Sequence, residues 1–200
     1  MKRTLDIAFA TLGLLLTAPA WLAVPLAIKM DDGGPVFYGQ ERVGKGGRHF
    51  RSWKFRSMRS VESRNGPVSQ ARLETARITR VGRVLRPTAL DELPQLWSIL
   101  KGDMSLVGPR ALAPLEVMRE GEPPVRMRDV PGFDERHSIR PGLTGLAQTR
   151  LRPDAPHSEK FEVDLDYVRD RSLLLDIRLI IGSVWTSLRG AWPEVGRQDR

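Results

Sequence analysis

The chain has 200 residues, of which 40% are hydrophobic, and a mean hydropathy of −0.31, which allows one buried core but excludes a protein that crosses a membrane many times. It contains no cysteine, which excludes disulfides, zinc–thiolate sites and a cysteine nucleophile. The net charge of +8 arises in residues 29–88, where 14 Lys and Arg accompany 5 Asp and Glu, so this stretch attracts nucleic acid, anionic lipid or phosphorylated substrates.

The first predicted element is an uncharged segment over residues 7–28. About 20 residues in a helix suffice to cross a hydrocarbon core, so we predict a membrane segment here. Pro19 lies in its middle and Pro25 follows. Because proline lacks the amide donor and interrupts the helix hydrogen bonds, a kink is predicted near Ala18 and Pro19.

Three topologies fit this segment: a straight transmembrane anchor, a cleaved signal peptide, or a re-entrant hairpin that enters and leaves through the same leaflet. Cleavage after Ala20 would leave a strongly apolar end, which disfavours the signal peptide. Basic residues flank both ends, with Lys2 and Arg3 before the segment and Lys29 after it, so the positive-inside rule gives no clear orientation for a straight span. A break at Pro19 would instead keep both flanks in the cytoplasm.

Two strands follow in the prediction, over residues 35–40 and 50–58, with a glycine-rich turn over residues 43–47 between them. Lys54 and Arg56 alternate with aromatic residues in the second strand, which gives the hairpin one basic face. Such a face is common on solvated strands, and it also suits a phosphate or a lipid headgroup.

The next stretch is predicted to hold a loop and two helices. Residues 59–70 read as an exposed loop and residues 71–85 as a helix, which Arg86-Pro87 ends. Thr88 and Asp91 have the spacing of an N-terminal cap for a second helix, and Gly102 stops that helix.

The remainder is predicted as a surface excursion and a final helix. Residues 111–139 are rich in proline and charge, which indicates a long excursion over the surface and not a second domain. Residues 173–188 form a helix with one apolar face, interrupted by Asp176 and Arg178, which would pack in the core or lie in the membrane interface.

Adjacent Asp91 and Glu92 are the candidate catalytic pair. Two neighbouring carboxylates alone are more often surface groups than catalytic ones. A carboxylate that attacks a phosphoryl group needs a divalent cation and guanidinium groups to neutralise the phosphate oxygens, and Arg86, Arg110 and Arg140 are the candidates for the guanidinium groups.

Glycine and proline surround two of these arginines. In Val107-Gly108-Pro109-Arg110 and Arg140-Pro141-Gly142-Leu143-Thr144-Gly145 they predict turns whose backbone amides approach a phosphate. A helix N terminus at Asp91 would add its positive end. The three histidines lack metal-ligand spacing, and His137 is predicted to be a hydrogen-bonded structural residue.

Taken together, these residues resemble the bacterial sugar transferase family, the monotopic phosphoglycosyl transferases, over nearly the whole chain. The matching segments are Lys2-Arg3 with Asp6, Lys54-Phe55-Arg56-Ser57-Met58, Leu90-Asp91-Glu92-Leu93-Pro94-Gln95-Leu96, Leu100-Lys101-Gly102-Asp103-Met104-Ser105-Leu106-Val107-Gly108-Pro109-Arg110, residues 140–148, Asp166-Tyr167-Val168 and Leu174-Leu175-Asp176. The chain departs from the usual family pattern at Ala18, Ser98 and Ala111.

The resemblance implies an α+β, mainly helical fold in two parts. Residues 1–29 would form a re-entrant membrane helix hairpin broken at Ala18-Pro19, and residues 30–200 a small cytoplasmic catalytic domain with interfacial amphipathic helices. As a small member, the chain is expected to lack the additional N-terminal membrane domain of the large members. The expected location is the cytoplasmic face of the bacterial inner membrane, with membrane lipids as partners.

The resemblance also implies a reaction. A sugar 1-phosphate would pass from a UDP-sugar to polyprenyl (undecaprenyl) phosphate with release of UMP, through a covalent aspartyl-phosphosugar intermediate, to initiate glycoconjugate synthesis. Asp91 would be the nucleophile and Glu92 its assistant, and both would hold Mg²⁺, with Glu92 as metal ligand or as general base. Arg86, Arg110 and Arg140 would bind substrate phosphate, and the further candidates for donor or lipid-phosphate contacts are Lys54, Arg56 and Gln148.

Two rival functions remain open from the residues. One is a membrane-anchored adaptor whose basic hairpin holds anionic lipid or nucleic acid, although the transferase prediction includes no nucleic acid partner. The other is a metal-dependent phosphatase that acts on a lipid diphosphate and releases inorganic phosphate. The sugar, the pathway and the oligomeric state are left open.

Overall fold

A computed structural model of the protein describes residues 1–59, 77–119, 121–152 and 155–188. It is a mixed helix and sheet fold, about 53% helical, as predicted. The helices are α1 (Lys2–Leu16), α2 (Ala18–Asp32), α3 (Gly82–Leu85), α4 (Gln95–Lys101), α5 (Phe133–Arg136), α6 (Leu146–Arg150), α7 (His157–Asp170) and α8 (Leu173–Leu188). The strands are β1 (Phe37–Val43), β2 (His49–Phe55), β3 (Ser105–Val107), β4 (Leu115–Glu116), β5 (Val125–Arg126) and β6 (Gly142–Thr144).

The uncharged segment forms α1 and α2, which meet at Thr17 with a bend of 59°. The Thr17 hydroxyl donates a hydrogen bond to the Gly13 carbonyl (2.7 Å), which closes the end of α1. Pro19 lies in the first turn of α2, where its missing amide hydrogen leaves no bond unmade. The predicted kink is therefore confirmed, and α2 continues through Pro25 to Asp32, past the predicted boundary at residue 29.

The length and apolar composition of α1 and α2 can be compared with those of a membrane span. Among the described helices, none alone is long and apolar enough to span a bilayer, whereas α1 and α2 meet that test together across their bend. A membrane hairpin at this place stays a prediction.

The start of α1 is fixed to the rest of the chain by polar contacts. Lys2 Nζ lies 2.6 Å from Asp176 in the first turn of α8. The Arg3 guanidinium donates hydrogen bonds to two carbonyl groups at the end of α4 (2.5 and 2.8 Å). The Asp6 carboxylate, 3% exposed, accepts hydrogen bonds from the Ser105 hydroxyl (2.9 Å) and from the next backbone N–H (3.0 Å).

The end of α2 is held on the same body. Val24 and Ile28 are buried in a cluster with Phe55, and Asp32 forms an ion pair with Arg56. The two ends of the α1–α2 pair therefore both rest on the part of the chain that follows them.

The predicted hairpin is confirmed, with strands over residues 37–43 and 49–55. The basic face expected from Lys54 and Arg56 does not form, because Arg56 lies beyond β2 in a buried ion pair and Lys54 pairs with Glu92. Strands β1 and β2 pair antiparallel, with Phe37 opposite Phe55 and Val43 opposite His49. The turn between them is a 3-10 segment, Lys45–Gly47, in which two glycines take positive φ angles (65° and 72°).

The two glycine-rich stretches meet as a parallel pair, β3 with β6. The Gly108 N–H donates a hydrogen bond to the Thr144 carbonyl (3.0 Å), and the Gly142 N–H to the Pro109 carbonyl (2.9 Å). A Cβ added at Gly108, Gly142 or Gly145 would collide with the facing backbone. The prediction that these glycines present amides to a phosphate is therefore wrong for Gly108 and Gly142, because their amides are used between the strands.

The predicted loop and helix over residues 59–85 fall largely on residues 60–76, outside the described part of the chain. Within that part, the predicted helix is wrong at residues 78–81, which are not helical and where Ile78 forms a β-bridge with Met58. Helix α3 begins only at Gly82 and ends where predicted, before Arg86. The Thr88 hydroxyl donates to two carbonyl groups at the end of α3 (2.9 and 3.1 Å), so the prediction that it caps the following helix is wrong. Helix α4 starts after Pro94 and ends at Lys101, and the predicted stop, Gly102, follows it with a φ of 96°.

Residues 111–139 do more than cross the surface, which corrects that prediction. Apolar side chains spaced among the prolines form a buried cluster with the end of β1 and with α7. Its members are Val43, Leu112, Met118, Met127, Phe133 and Phe161.

Helix α8 has the predicted bounds, and its predicted packing in the core is confirmed on one side, whereas a place in the membrane interface stays a prediction. Leu179 is buried with Val107 and Tyr167. Ile177 and Ile181, on another side of the helix, are 41% and 64% exposed.

Candidate active site

One cavity of about 700 Å³ gathers most of the predicted site residues. Strand β2, the segment between α3 and α4, the end of β3 and helix α6 each contribute to its wall. The predicted residues that line it are Lys54, Arg86, Asp91, Glu92, Arg110 and Gln148.

A short 3-10 turn, Leu90–Glu92, carries the two carboxylates. Ala89, immediately before it, has a φ of 54° and is the only non-glycine residue with positive φ in the described chain. This conformation is unfavourable for a side chain with a Cβ, and such strain is frequent at functional sites. Helix α4 begins only at Gln95, so the predicted helix N terminus at Asp91 is wrong.

Asp91 is buried, with 7% of its surface exposed. Burial, followed by the neighbouring Glu92 charge, raises its pKa to about 6, although Lys54 and Arg86 act in the opposite direction. A carboxyl group with this pKa is largely ionised at neutral pH and is more basic than an ordinary aspartate.

Glu92 has the opposite electrostatic environment. Burial disfavours its charge, but an ion pair with Lys54, together with the positive charges of Arg110 and Arg42, brings its pKa below the usual range. The two adjacent carboxylates are thus different chemical groups: the lowered pKa keeps Glu92 ionised, whereas Asp91 has a pKa of about 6.

Arg86 and Arg110 bring positive charge to the cavity. Neither forms a salt bridge with another described residue. Arg86 donates one hydrogen bond to the Met58 sulfur (3.2 Å), which is a weak acceptor, so both guanidinium groups can bind an anion. The Arg110 backbone is held by Arg136, whose guanidinium donates to the Arg110 carbonyl (2.6 Å) and pairs with Asp164 (2.6 Å). Both members of that ion pair are almost fully buried, so Arg110 rests on a fixed support.

Arg56 and Arg140 lie elsewhere. Arg56 is buried under Gly34 in its ion pair with Asp32. Arg140 donates a hydrogen bond to the Gly102 carbonyl (2.7 Å) and lines a different cavity. The predicted convergence of three arginines is therefore seen for two, because contacts within the fold hold the Arg140 side chain at the end of α4.

His137 is a structural residue, as predicted. Its ring stacks on Phe133, and Nδ1 lies 2.8 Å from the Phe133 carbonyl. Burial and the neighbouring Arg136 lower its pKa to about 4, so it remains neutral.

The carboxylate pair is also the predicted metal site. The described residues contain no group of three or more His, Cys, Asp or Glu that would form a complete metal cage. Mg²⁺ is commonly held by one or two carboxylates together with substrate phosphates and water, so Asp91 and Glu92 fit this ion as a partial ligand set.

Several cavity residues were not found from the sequence. Thr17 reaches the cavity from the α1–α2 bend, and Ile180, Ser183 and Val184 reach it from α8. The Ser183 and Thr144 hydroxyls form a hydrogen bond that fixes α8 against β6. Only Thr144 lies in a stretch with a recognisable motif. The cavity positions of the residues from the α1–α2 bend and α8 follow from how distant helices pack, which a local motif does not show.

The sequence model of a family described as bacterial sugar transferase matches residues 1–190. A UDP-glucose:undecaprenyl-phosphate glucose-1-phosphate transferase of Escherichia coli (strain K12) is 40% identical, over 92% of this chain and 39% of that protein. A UDP-N-acetylgalactosamine-undecaprenyl-phosphate N-acetylgalactosaminephosphotransferase of Aeromonas hydrophila is 39% identical, over 95% and 44%. The exopolysaccharide production protein PSS of Rhizobium leguminosarum bv. phaseoli is 43% identical, over 94% and 95%. The chain thus spans less than half the length of the first two relatives and nearly all of the third.

Proposed function

The chain belongs to the bacterial sugar transferase family, and we propose that it transfers a sugar 1-phosphate from a UDP-sugar to undecaprenyl phosphate, with release of UMP. The observation that carries this proposal is a pair of carboxylates, one with a raised and one with a lowered pKa. The pair lies in one cavity with Lys54, Arg86 and Arg110. The names of the relatives from E. coli and A. hydrophila give donors and an acceptor of these classes. The R. leguminosarum name suggests that the product serves exopolysaccharide or other glycoconjugate synthesis.

In the first step, the ionised Asp91 carboxylate attacks the sugar-bearing phosphorus of the donor. The bond from this phosphorus to the bridging oxygen breaks, and UMP leaves with the electron pair. The product is an acyl phosphate on Asp91, a mixed anhydride that remains reactive toward a second nucleophile. The raised pKa of Asp91 favours this role, because a more basic carboxylate is a better nucleophile.

In the second step, an oxygen of the lipid phosphate attacks the same phosphorus and Asp91 leaves as a carboxylate. Arg86, Arg110 and Lys54 neutralise the phosphate oxygens, and two-pronged guanidinium contacts suit this task. Mg²⁺, held by Asp91 and Glu92 together with phosphate oxygens, would supply further neutralisation of charge.

We further propose that α1 and α2 form a re-entrant hairpin at the cytoplasmic face of the inner membrane. Lys2, Arg3 and Asp6 at one end and Val24 and Ile28 at the other contact the same body of the protein, which supports ends that lie on one side of the bilayer. Apolar side chains around the bend are exposed and would face membrane lipids, among them Leu15, Leu16, Leu22 and Leu26.

The deciding experiment incubates the full chain in detergent with Mg²⁺, undecaprenyl phosphate and each of a panel of UDP-sugars, and measures UMP. We expect UMP release with one or a few donors and none from the Asp91→Asn variant. Donor alone should leave phosphosugar bound to the native protein at Asp91. Release of inorganic phosphate from a lipid diphosphate, without UMP from any donor, would support the phosphatase instead.

A further inference from the structure

The cavity that holds the carboxylate pair has a polar end and an apolar side. The polar end contains the charged residues around Asp91. The apolar side chains that line the same cavity are Leu90, Leu93, Leu96, Leu106, Leu143, Ile180 and Val184. A nucleotide-sugar has little hydrocarbon surface to cover these groups, so the apolar side is better matched to a lipid.

Helix α8 carries this apolar surface from the cavity to the outside of the protein. Ile180, Ser183 and Val184 line the cavity, whereas Ile177 and Ile181 are exposed and do not. At roughly 100° per residue, Val184 lies between these two stripes on the helix. It belongs to both, because it lines the cavity and is 52% exposed.

Another part of the cavity wall is formed by the α1–α2 bend. Thr17 lines the cavity there, and the neighbouring Leu16 is 73% exposed. Two elements that line the cavity, α8 and the α1–α2 bend, therefore also carry exposed apolar side chains.

Contacts within the fold fix the position of α8. The Tyr167 hydroxyl donates a hydrogen bond to Asp176 (2.6 Å), which also pairs with Lys2, and Ser183 is bonded to Thr144. The α8 wall is thus tied at its start to α1 and α7 and, further along, to β6.

We propose that the hydrocarbon chain of the lipid acceptor enters the cavity from the side, between α8 and the α1–α2 bend, and crosses Val184 on its way out to the bilayer. Its phosphate then lies among Lys54, Arg86 and Arg110. This proposal rests on the proposed function for the identity of the lipid, a polyprenyl phosphate. It adds the route and the residues of α8 that contact the chain.

The absence of cysteine allows a direct test. Val184→Cys and, as a matched control on the same helix, Ile177→Cys each introduce one thiol, and the rate of its modification is measured in detergent. Undecaprenyl phosphate at about ten times its Kd should slow modification at position 184 by about tenfold, because only the lipid-free molecules react, and should leave position 177 unchanged. Dimethylallyl phosphate, with a single isoprene unit, should protect neither.

Ile180→Cys provides a second cavity position if the first variant does not fold. Equal protection at positions 177 and 184 would mean that the lipid only coats the apolar surface, and this result would overturn the route. No protection at 180 or 184, in a protein that consumes the acceptor, would overturn it too. Absence of UMP from every donor refutes the transferase reaction, which is a separate result because protection is measured without donor.

The acceptor KM gives an independent measurement. Val184→Asn should raise the KM for undecaprenyl phosphate by about tenfold, since a polar amide replaces apolar surface along the chain. Ile181→Asn, at an exposed position of the same helix outside the cavity, should change the KM less than twofold. The route is wrong if both variants raise the KM equally.

Discussion

Two buried aspartates of this protein illustrate different uses of the same side chain. Asp6 in α1 is 3% exposed and accepts hydrogen bonds from Ser105 and the following backbone N–H. Asp91 is 7% exposed, has the Glu92 charge beside it, and has a pKa raised to about 6. The comparison teaches that burial alone does not identify a reactive carboxylate. The Asp6 carboxylate is used in hydrogen bonds that support the fold, whereas Asp91 is buried beside a second negative charge, which gives it the raised pKa that chemistry can use.

The strongest test of this contrast is Asp91→Asn. Turnover should fall at least about a thousandfold, because the amide keeps the shape but is not a nucleophile. The protein should not lose stability at pH 7. The folded-state pKa is about 6, above the ordinary value of 3.8, so any stabilisation from this group exists at low pH and is lost as pH rises through about 6. Removing the charge at neutral pH relieves a penalty of up to roughly 3 kcal/mol.

UMP assays and thermal unfolding of Asp91→Asn in detergent measure both effects. The contrast between the two aspartates fails if the variant unfolds at a much lower temperature, because Asp91 would then be a structural residue.

Replacing Arg110 by Lys tests the cations of the cavity. We expect a loss of about 10- to 100-fold in kcat/KM for the donor, since a point charge replaces a planar group with two donors. Arg140→Lys is the matched comparison, because the sequence grouped Arg140 with Arg110 and the structure places it at Gly102. Equal losses in the two variants would favour the sequence prediction over the observed position.

The pH dependence sharpens the comparison of Asp91 with its neighbours. The kcat/KM for UMP release should fall below about pH 6, as Asp91 becomes protonated. Glu92→Gln removes a negative charge, lowers the pKa of Asp91 and should shift this acid limb to lower pH, even though the rate is severely reduced. Lys54→Met removes a positive charge and should shift the limb to higher pH. Shifts in the same direction would show that these neighbours do not control the pKa of Asp91.

The fold-supporting aspartate should behave in the opposite way. Asp6→Asn places an amide NH₂ against donors and should cost about 2 kcal/mol of unfolding free energy. Activity per folded molecule should remain close to native. Denaturant unfolding in detergent measures the change in unfolding free energy. A loss of turnover without a loss of stability would contradict a fold-supporting role of Asp6.

The smallest effect concerns topology. A thiol introduced by Thr4→Cys, two residues from Lys2, should not react with an impermeant reagent added outside intact cells, because both ends of the hairpin would lie in the cytoplasm. Replacing both Pro19 and Pro25 by Ala should straighten the segment in some molecules and make a fraction of the thiols reactive. Full reactivity without the proline changes would show that the segment crosses the membrane.

The sequence predicted those parts of the site that lie in contiguous motifs. Asp91, Glu92 and Arg110 could be found because each stands in a distinctive local run, and α8 because its apolar period is regular. The sequence did not predict that Arg140 would be held at Gly102, or that Gly108 and Gly142 serve the approach of two strands. Such outcomes depend on which distant backbones meet. A local pattern of glycine and proline is the same whether the glycines bind a phosphate or allow two strands to approach.

The buried pair Arg136–Asp164 shows the same limit. Its members lie in different helices and have no motif in common, yet the pair supports the Arg110 carbonyl. Residues that act through a neighbour leave little trace in a single sequence, because their function is defined by a contact and not by their own chemistry.

The contact between Lys2 and Asp176 also sets an order of events during protein synthesis, because its partners are 174 residues apart. At about 5–20 residues per second, roughly 9 to 35 seconds separate their exit from the ribosome. During that interval the apolar α1–α2 segment exists without the helices that later hold its start. The segment must therefore be shielded from water before the domain that anchors it has been made.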